Sequence, residues 1–192
     1  YLAVIDAGFT GMDTISYFND VFQEGRVIDQ YDFLTNTTNV FDYSSHGTAV
    51  SSCIFARKEG VNAFAGAAPD VKVALMVSED VASETLIEEY YLVLALERCD
   101  SLGVDIASIS LGYKDYDNPD DTHSLSDLDG KTTLAAIGVN IAAAKGILVV
   151  SAAGNQGPSF IGTPCDADDG LCVGGVDGNG NYAFFSSVGP SG

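Results

Sequence analysis

A histidine at the start of a predicted helix is the residue of this sequence best suited to chemistry. His46 follows two serines, and Val50, Cys53 and Ile54 recur behind it at helical spacing. This pattern predicts a helix that begins near residue 46 and runs to about residue 57. Because an imidazole titrates near neutral pH, His46 could take a proton from a hydroxyl and return it to a leaving group. A lone histidine at a helix start is more often structural, so this role needs support from other segments.

Two other segments carry groups that could assist such a histidine. The apolar run 2–5 is typical of a buried parallel strand, and it ends at Asp6, whose carboxylate could orient an imidazole. The alternative is an aspartate that only caps its own turn. The apolar run 147–150 leads into small residues and Asn155, whose amide could donate a hydrogen bond to an oxyanion. Asn155 could instead do no more than form the turn.

Four blocks, taken in order and spacing, resemble a known enzyme family. They are Val-Ile-Asp-Ala-Gly at 4–8, His-Gly-Thr at 46–48, Ser-Leu-Gly at 110–112 and Ala-Ala-Gly-Asn at 152–155. Together they are similar to the subtilisin-like serine proteases, the subtilases of peptidase family S8. The resemblance covers essentially the whole chain, and the acidic stretch 117–131 looks closest to a branch found in bacteria of the Bacteroidetes type.

The resemblance implies a serine endopeptidase that hydrolyses peptide bonds through an acyl-enzyme with an Asp-His-Ser triad. Asp6 would orient His46, His46 would be the general base, and Asn155 would donate to the oxyanion. An extended peptide would lie as an added strand along one backbone edge, and a second segment would form the opposite wall of the pocket. The implied substrate-binding residues are Ser110, Leu111, Gly112, Ala152, Ala153 and Gly154. Because the wall residues are small, we expect room for a large apolar side chain before the cleaved bond.

The serine nucleophile that the resemblance implies is not among these residues. Subtilases carry it in a Gly-Thr-Ser block that opens a helix, and the sequence reaches Gly192 without one. Ser186, Ser187 and Ser191 precede no helical pattern. We therefore expect residues 1–192 to be about the N-terminal two-thirds of a single catalytic domain, inactive alone, with the serine supplied downstream. The alternative is a catalytically inactive domain that keeps the fold and binds peptides or other partners.

Predicted strands and helices alternate along the chain. The strands are expected at 2–5, 26–29, 71–77, 104–111 and 147–150, and the helices at 46–57, 80–103 and 131–145. This alternation predicts an α/β fold of three layers, with a mostly parallel central sheet and helices on both faces, as the subtilisin-like resemblance implies. The turn Asp-Gly-Asn-Gly at 177–180, between apolar residues on either side, predicts a hairpin.

Composition restricts the partners. The 192 residues contain 8 Lys and Arg against 27 Asp and Glu, a net charge of −19, which disfavours binding to nucleic acid or to an anionic membrane surface. No apolar run is long enough to cross a bilayer, and we expect any signal peptide to lie outside residues 1–192. We expect a secreted, periplasmic or cell-surface monomer that acts on polypeptides, with an inhibitory propeptide as a further candidate partner.

The remaining candidates for special chemistry are aspartates, cysteines and one histidine. No cofactor is required for the implied reaction, but aspartates crowd 113–130 and 166–169, where they could bind calcium or only form solvated loops. His123, among aspartates and serines, is predicted to lie at the surface. Four cysteines allow three full pairings. Cys165 and Cys172 could form a local disulfide, whereas Cys53 and Cys99 lie on predicted helices and could be buried thiols.

Overall fold

The computed structural model describes residues 1–192 and contains one large parallel sheet. The strands are β1 (Leu2–Asp6), β2 (Val27–Asp32), β3 (Arg57–Lys58), β4 (Phe64–Ala65), β5 (Val73–Val77), β6 (Ile106–Ile109), β7 (Leu148–Ala152) and β8 (Leu171–Val173). Six of them form the sheet in the order β2-β5-β1-β6-β7-β8, all parallel, and β3 pairs with β4 in a separate antiparallel ribbon.

Helices cover both faces of this sheet. They are α1 (Asn19–Gln23), α2 (His46–Phe55), α3 (Ile87–Leu102) and α4 (Leu134–Ala144). On one face, α3 and α4 bury residues such as Leu92 and Val139 in a cluster of 20 buried residues. On the other face, α2 contributes Phe55 to a cluster of 12. The predicted three-layer α/β architecture is confirmed. None of the helices combines the length and hydropathy that crossing a bilayer requires.

The central position of β1 in the sheet explains why residues 2–5 form an unbroken apolar run. All five of its residues are buried, because helices cover both faces and β5 and β6 flank it on either side. Its register with β5 pairs Asp6 with Val77, and its register with β6 pairs Ile5 with Ile109. The carboxyl ends of the central strands therefore lie side by side at one edge of the sheet.

Two predicted elements differ in the structure. The acidic run 80–84 was expected to start a helix, but α3 begins only at Ile87, and residues 78–86 form a loop. The predicted hairpin is reduced to a single antiparallel pair, Val176 with Tyr182. Residues Leu171–Val173 join the main sheet beside β7 instead, because that edge offers a longer ladder of backbone hydrogen bonds than the short turn does.

Two side chains also differ in their surroundings from the prediction. His123 is not a surface residue, because its Nε2 hydrogen-bonds to the buried carboxylate of Glu89. Cys53 lies on the outer face of α2 and is exposed, whereas Cys99 is buried as expected. Cys165 and Cys172 form a disulfide that closes the loop before β8.

Candidate active site

The carboxylate of Asp6 and the imidazole of His46 form a close pair at the carboxyl edge of the sheet. Nδ1 of His46 lies 2.7 Å from Oδ1 of Asp6, and the backbone N–H of Ala7 donates to the same oxygen at 2.8 Å. Asp6 is fully buried, whereas the His46 side chain is 51% exposed. Burial raises the pKa of the Asp6 carboxyl, and the hydrogen bond and charge interaction with His46 oppose that shift. The aspartate is thus positioned to hold one ring nitrogen while the rest of the imidazole faces solvent.

Close packing between two glycines brings these side chains together. The N–H of Gly47 donates to the carbonyl of Gly8 at 2.9 Å, which joins the start of α2 to the turn after β1. A Cβ on Gly47 would lie only 2.6 Å from that carbonyl and 2.8 Å from the ring of Phe9. The hydroxyl of Ser44 accepts from the N–H of His46 at 3.1 Å. The glycine that follows the histidine is therefore needed for the approach of the helix to the strand end.

A cleft of about 550 Å³ opens beside His46. The predicted substrate-binding residues all line it, together with Asn155, so the structure brings every predicted site residue to one place, with Asp6 just beneath His46. From the predicted set, the residues in the cleft wall are His46, Ser110, Leu111, Gly112, Ala152, Ala153, Gly154 and Asn155.

One wall of the cleft is an unpaired stretch of backbone. Strand β6 ends at Ile109, two residues earlier than predicted, and residues 110–112 make no backbone hydrogen bonds. Pairing with other backbone resumes at Tyr113, which exchanges two hydrogen bonds with Thr163. The peptide groups of 110–112 are free to pair with an added extended chain.

The opposite wall contains the turn that carries Asn155. Gly154 has a φ of 103°, and a Cβ there would lie 2.9 Å from the hydroxyl of Ser187. The N–H of Ser187 donates to the carbonyl of Gly154, and its hydroxyl accepts from the N–H of Gln156. Asn155 itself is exposed, and its side chain hydrogen-bonds to no other residue. The segment around Ser187 thus fixes the backbone of the turn and leaves the amide facing the cleft.

The cleft also contains acidic residues that the sequence analysis did not select. Glu79 and Glu84 line it, and Glu88 lies close behind, so that carboxylate oxygens of the three residues come within 4.8 Å of one another. No such group of three forms within the loops 113–130 or 166–169, where calcium ligands were considered. Asp127, Asp129 and Asp166 instead accept hydrogen bonds from backbone N–H groups of nearby turns. Glu84 belongs to the acidic run 80–84, which was interpreted as the start of a helix, and Glu79 directly precedes that run.

Comparison with known proteins identifies the family. The model of the subtilase family, Peptidase_S8, matches residues 1–192. The chain belongs to the subtilase family. It is 31% identical over 189 residues to a thermophilic serine proteinase of Bacillus sp. (strain AK1), covering 98% of this chain and 41% of that protein. It is also 31% identical over 193 residues to subtilisin DY of Bacillus licheniformis, covering 98% of this chain and 60% of that protein.

Solved structures share the fold of this subtilase at lower sequence identity. The prenylagaramide maturation protease PagA superposes with a TM-score of 0.72 at 20% identity, over 99% of this chain and 58% of that one. The nisin leader peptidase NisP from Lactococcus lactis superposes with a TM-score of 0.68 at 22% identity, over 97% of this chain and 58% of that one. This subtilase chain therefore spans about half the length of the proteins that it matches.

Proposed function

We propose that this chain is the front part of a serine endopeptidase whose nucleophile is supplied by residues beyond Gly192 of a longer protein. His46 acts as the general base, and Asp6 holds its tautomer and orientation. The observation that carries the proposal is the 2.7 Å contact between Nδ1 of His46 and Oδ1 of the buried Asp6. Because Nδ1 faces the carboxylate, Nε2 is the nitrogen left to accept a proton from a serine hydroxyl.

The proposed reaction is acyl transfer through a tetrahedral intermediate. His46 takes the proton of the serine as its oxygen attacks the peptide carbonyl, and the imidazolium then gives that proton to the leaving amine. The amide of Asn155 donates to the oxyanion while the intermediate lasts, and water releases the acyl group in the second half of the reaction. An oxyanion donor of this kind contributes about 10²–10³-fold to the rate.

The proposed substrate is an extended polypeptide that pairs with the free backbone of 110–112. Ala152, Ala153 and Gly154 form the wall facing the side chain before the cleaved bond, and their small size leaves room for a large apolar group. We expect peptides with Phe or Leu at that position to be cleaved faster than matched peptides with Ala, Asp or Lys. Faster cleavage after the small or charged residues, measured as kcat/KM, would contradict this preference.

Fluorophosphonate labelling of the full-length protein tests the catalytic proposal. We expect one modified serine outside residues 1–192, identified by peptide mapping, and loss of labelling in His46→Ala. Glu97→Gln, an exposed substitution on α3 away from the cleft, should leave labelling unchanged. Residues 1–192 alone should take no label.

A folded full-length protein that takes no label after removal of any propeptide would refute the catalytic proposal. The domain would then be a catalytically inactive, peptide-binding relative, and immobilised extended peptides should retain it. The proposed location is outside the cytoplasm, at the cell surface, in the periplasm or secreted. The Cys165–Cys172 disulfide supports that location, because disulfides persist in oxidising compartments.

A further inference from the structure

Three carboxylates converge at the cleft wall formed by the loop 78–86. Glu79 lies two residues beyond β5, Glu84 lies in the middle of the loop, and Glu88 lies in the first turn of α3. Their oxygens approach within 4.8 Å of one another, and no lysine or arginine forms an ion pair with any of them. The wall therefore gathers three carboxyl groups that no lysine or arginine pairs with.

Buried oxygens in this cluster have no hydrogen-bond partner. Glu79 is 8% exposed and Glu88 is 1% exposed, yet Oε2 of Glu79 and Oε1 of Glu88 are both buried and unpartnered. The neighbouring Glu89 is equally buried, but one of its oxygens contacts Tyr116 and His123 and the other accepts from the N–H of Ala135. The fold thus satisfies one buried glutamate fully and leaves two others with an oxygen free.

Two buried hydroxyls add to the same group. The hydroxyl of Tyr113, a residue only 1% exposed, lies beside the Glu79 carboxylate without the geometry of a well-formed hydrogen bond, and burial and this carboxylate raise the pKa of the phenol. The hydroxyl of Ser78, adjacent in sequence to Glu79, is also buried and unpartnered. Burial and the neighbouring glutamates raise the pKa of Glu79 to about 8. Such a set of oxygens lacks a positively charged partner.

We propose that Glu79, Glu84 and Glu88 bind a calcium ion at the wall of the cleft. All candidate ligands are oxygens, which calcium prefers, and calcium takes about six to eight of them at about 2.3–2.6 Å. Two oxygens bound to the same calcium ion are therefore at most about 4.6–5.2 Å apart, and three oxygens that all lie within 4.8 Å of one another meet that condition. Magnesium, at about 2.0–2.1 Å, would require a tighter arrangement.

The fold already holds the ligands in place. The N–H of Thr85 donates to Oε2 of Glu88, which turns Oε1 toward the cluster. Asp117 hydrogen-bonds to both the N–H and the carbonyl of Glu84 and so fixes the backbone of the exposed ligand. The N–H of Ser78 donates to the carbonyl of Asp6 at 3.2 Å. Calcium bound here would fix the loop 78–86 directly beside the Asp6–His46 pair.

Calcium titration of the full-length protein carrying His46→Ala tests this site without any need for catalysis, so its result is independent of the proposed function. After removal of calcium with EGTA, binding of CaCl2 is measured by calorimetry, and bound calcium is counted by equilibrium dialysis and atomic emission. The site variants are Glu84→Gln, which changes an exposed residue, and Glu79→Gln. Glu97→Gln on the outside of α3 removes the same charge elsewhere and is the matched control.

We expect Glu84→Gln and Glu79→Gln each to bind one calcium ion fewer per chain than Glu97→Gln. Terbium added in place of calcium should show tyrosine-sensitised luminescence that falls at least twofold in Tyr113→Phe. Equal calcium number and affinity in all three glutamine variants, each folded by circular dichroism, would overturn the proposal. The proposal would also fail if the protein bound no calcium and if Glu84→Gln, made with His46 intact, lost cleavage of lysine- or arginine-containing peptides. That result would assign the cluster to the binding of a positively charged substrate side chain.

Discussion

Asp6 has one oxygen with two hydrogen-bond contacts and one with none. Oδ1 contacts His46 and the N–H of Ala7, whereas Oδ2 is buried without a partner. The neighbouring residue, Ala7, has no side-chain hydroxyl that could donate to Oδ2. An unsatisfied buried acceptor costs about 1–3 kcal/mol, and more when it is charged. At the scale of the residue, the site is therefore arranged for the orientation of His46 at the expense of stability.

The substitution Asp6→Asn tests both consequences. Activity of the full-length enzyme should fall about 10³–10⁴-fold, because the imidazole loses the carboxylate that orients it. Stability should change in the opposite direction. A raised pKa means that the fold favours the protonated carboxyl, so ionised Asp6 destabilises the wild type increasingly as pH rises above the unfolded value, about 3.9. The melting temperature of Asp6→Asn, relative to that of the wild type, should therefore rise from pH 4 to pH 7.

Asp177→Asn provides a control of opposite sign. Hydrogen bonds from the backbone of Asn181 and Asn179 lower the pKa of Asp177, an exposed residue far from the cleft. Its ionised form favours folding, so this variant should lose stability relative to the wild type as pH rises from 3 to 7. If both variants changed in the same direction with pH, the account of Asp6 would be wrong.

At the scale of the element, the sequence predicted best those helices and strands whose residue pattern follows directly from their burial. The apolar run before Asp6 is typical of a buried strand, and the spacing behind His46 is typical of a helix, so the placement of both residues was predictable. The turn 78–86 was not, because acidic residues before an apolar helix look like a helix start whether they cap it or face a cleft. His123 was mispredicted for a related reason, since its partner Glu89 lies 34 positions away in sequence.

The packing of α2 against the turn after β1 predicts the effect of Gly47→Ala. The added Cβ would lie 2.6 Å from the carbonyl of Gly8, a backbone atom that cannot move aside without the turn. We expect a loss of about 1–3 kcal/mol in unfolding free energy, as for other overpacked sites. Activity should fall by about 10²-fold through displacement of His46, since a misplacement of about 1 Å has that effect.

Gly178→Ala is the matched control for Gly47→Ala. A Cβ there would meet nothing within 4 Å, so stability and activity should stay at wild-type levels. Thermal unfolding and kcat/KM of the two variants would be measured side by side. Wild-type values for Gly47→Ala would show that α2 shifts without displacing the histidine.

The disulfide between Cys165 and Cys172 predicts sensitivity to reductant. The disulfide joins residues seven positions apart, and in the loop-entropy model such a link raises the free energy of the unfolded chain by about 2–3 kcal/mol. The double variant Cys165→Ser/Cys172→Ser should therefore have a lower melting temperature than the wild type. Dithiothreitol should lower the melting temperature of the wild type to that of the double variant. Cys53→Ser, which removes an exposed free thiol, should change neither result.

At the scale of the whole molecule, the net charge of −19 gives the chain a strongly negative field. Such a field attracts basic substrates and repels acidic ones, and salt screens it over about 10 Å at 0.1 M. The kcat/KM for peptides rich in lysine or arginine should therefore fall between 0.05 and 0.5 M NaCl. Acidic peptides should be cleaved faster over the same range, and neutral peptides of equal length should show little change. The same salt dependence for all three peptides would rule out electrostatic attraction.

The parallel arrangement of the sheet also bears on how this protein could be attached to a solid support. Because the strands run the same way, the cleft occupies one edge, and the turn at Lys145–Gly146 between α4 and β7 lies at the other. Gly146 adopts a φ of 102°, and no other residue lies within 4 Å of where its Cβ would be. A coupling tag inserted there would orient immobilised molecules uniformly, with every cleft directed away from the surface and open to large polypeptides.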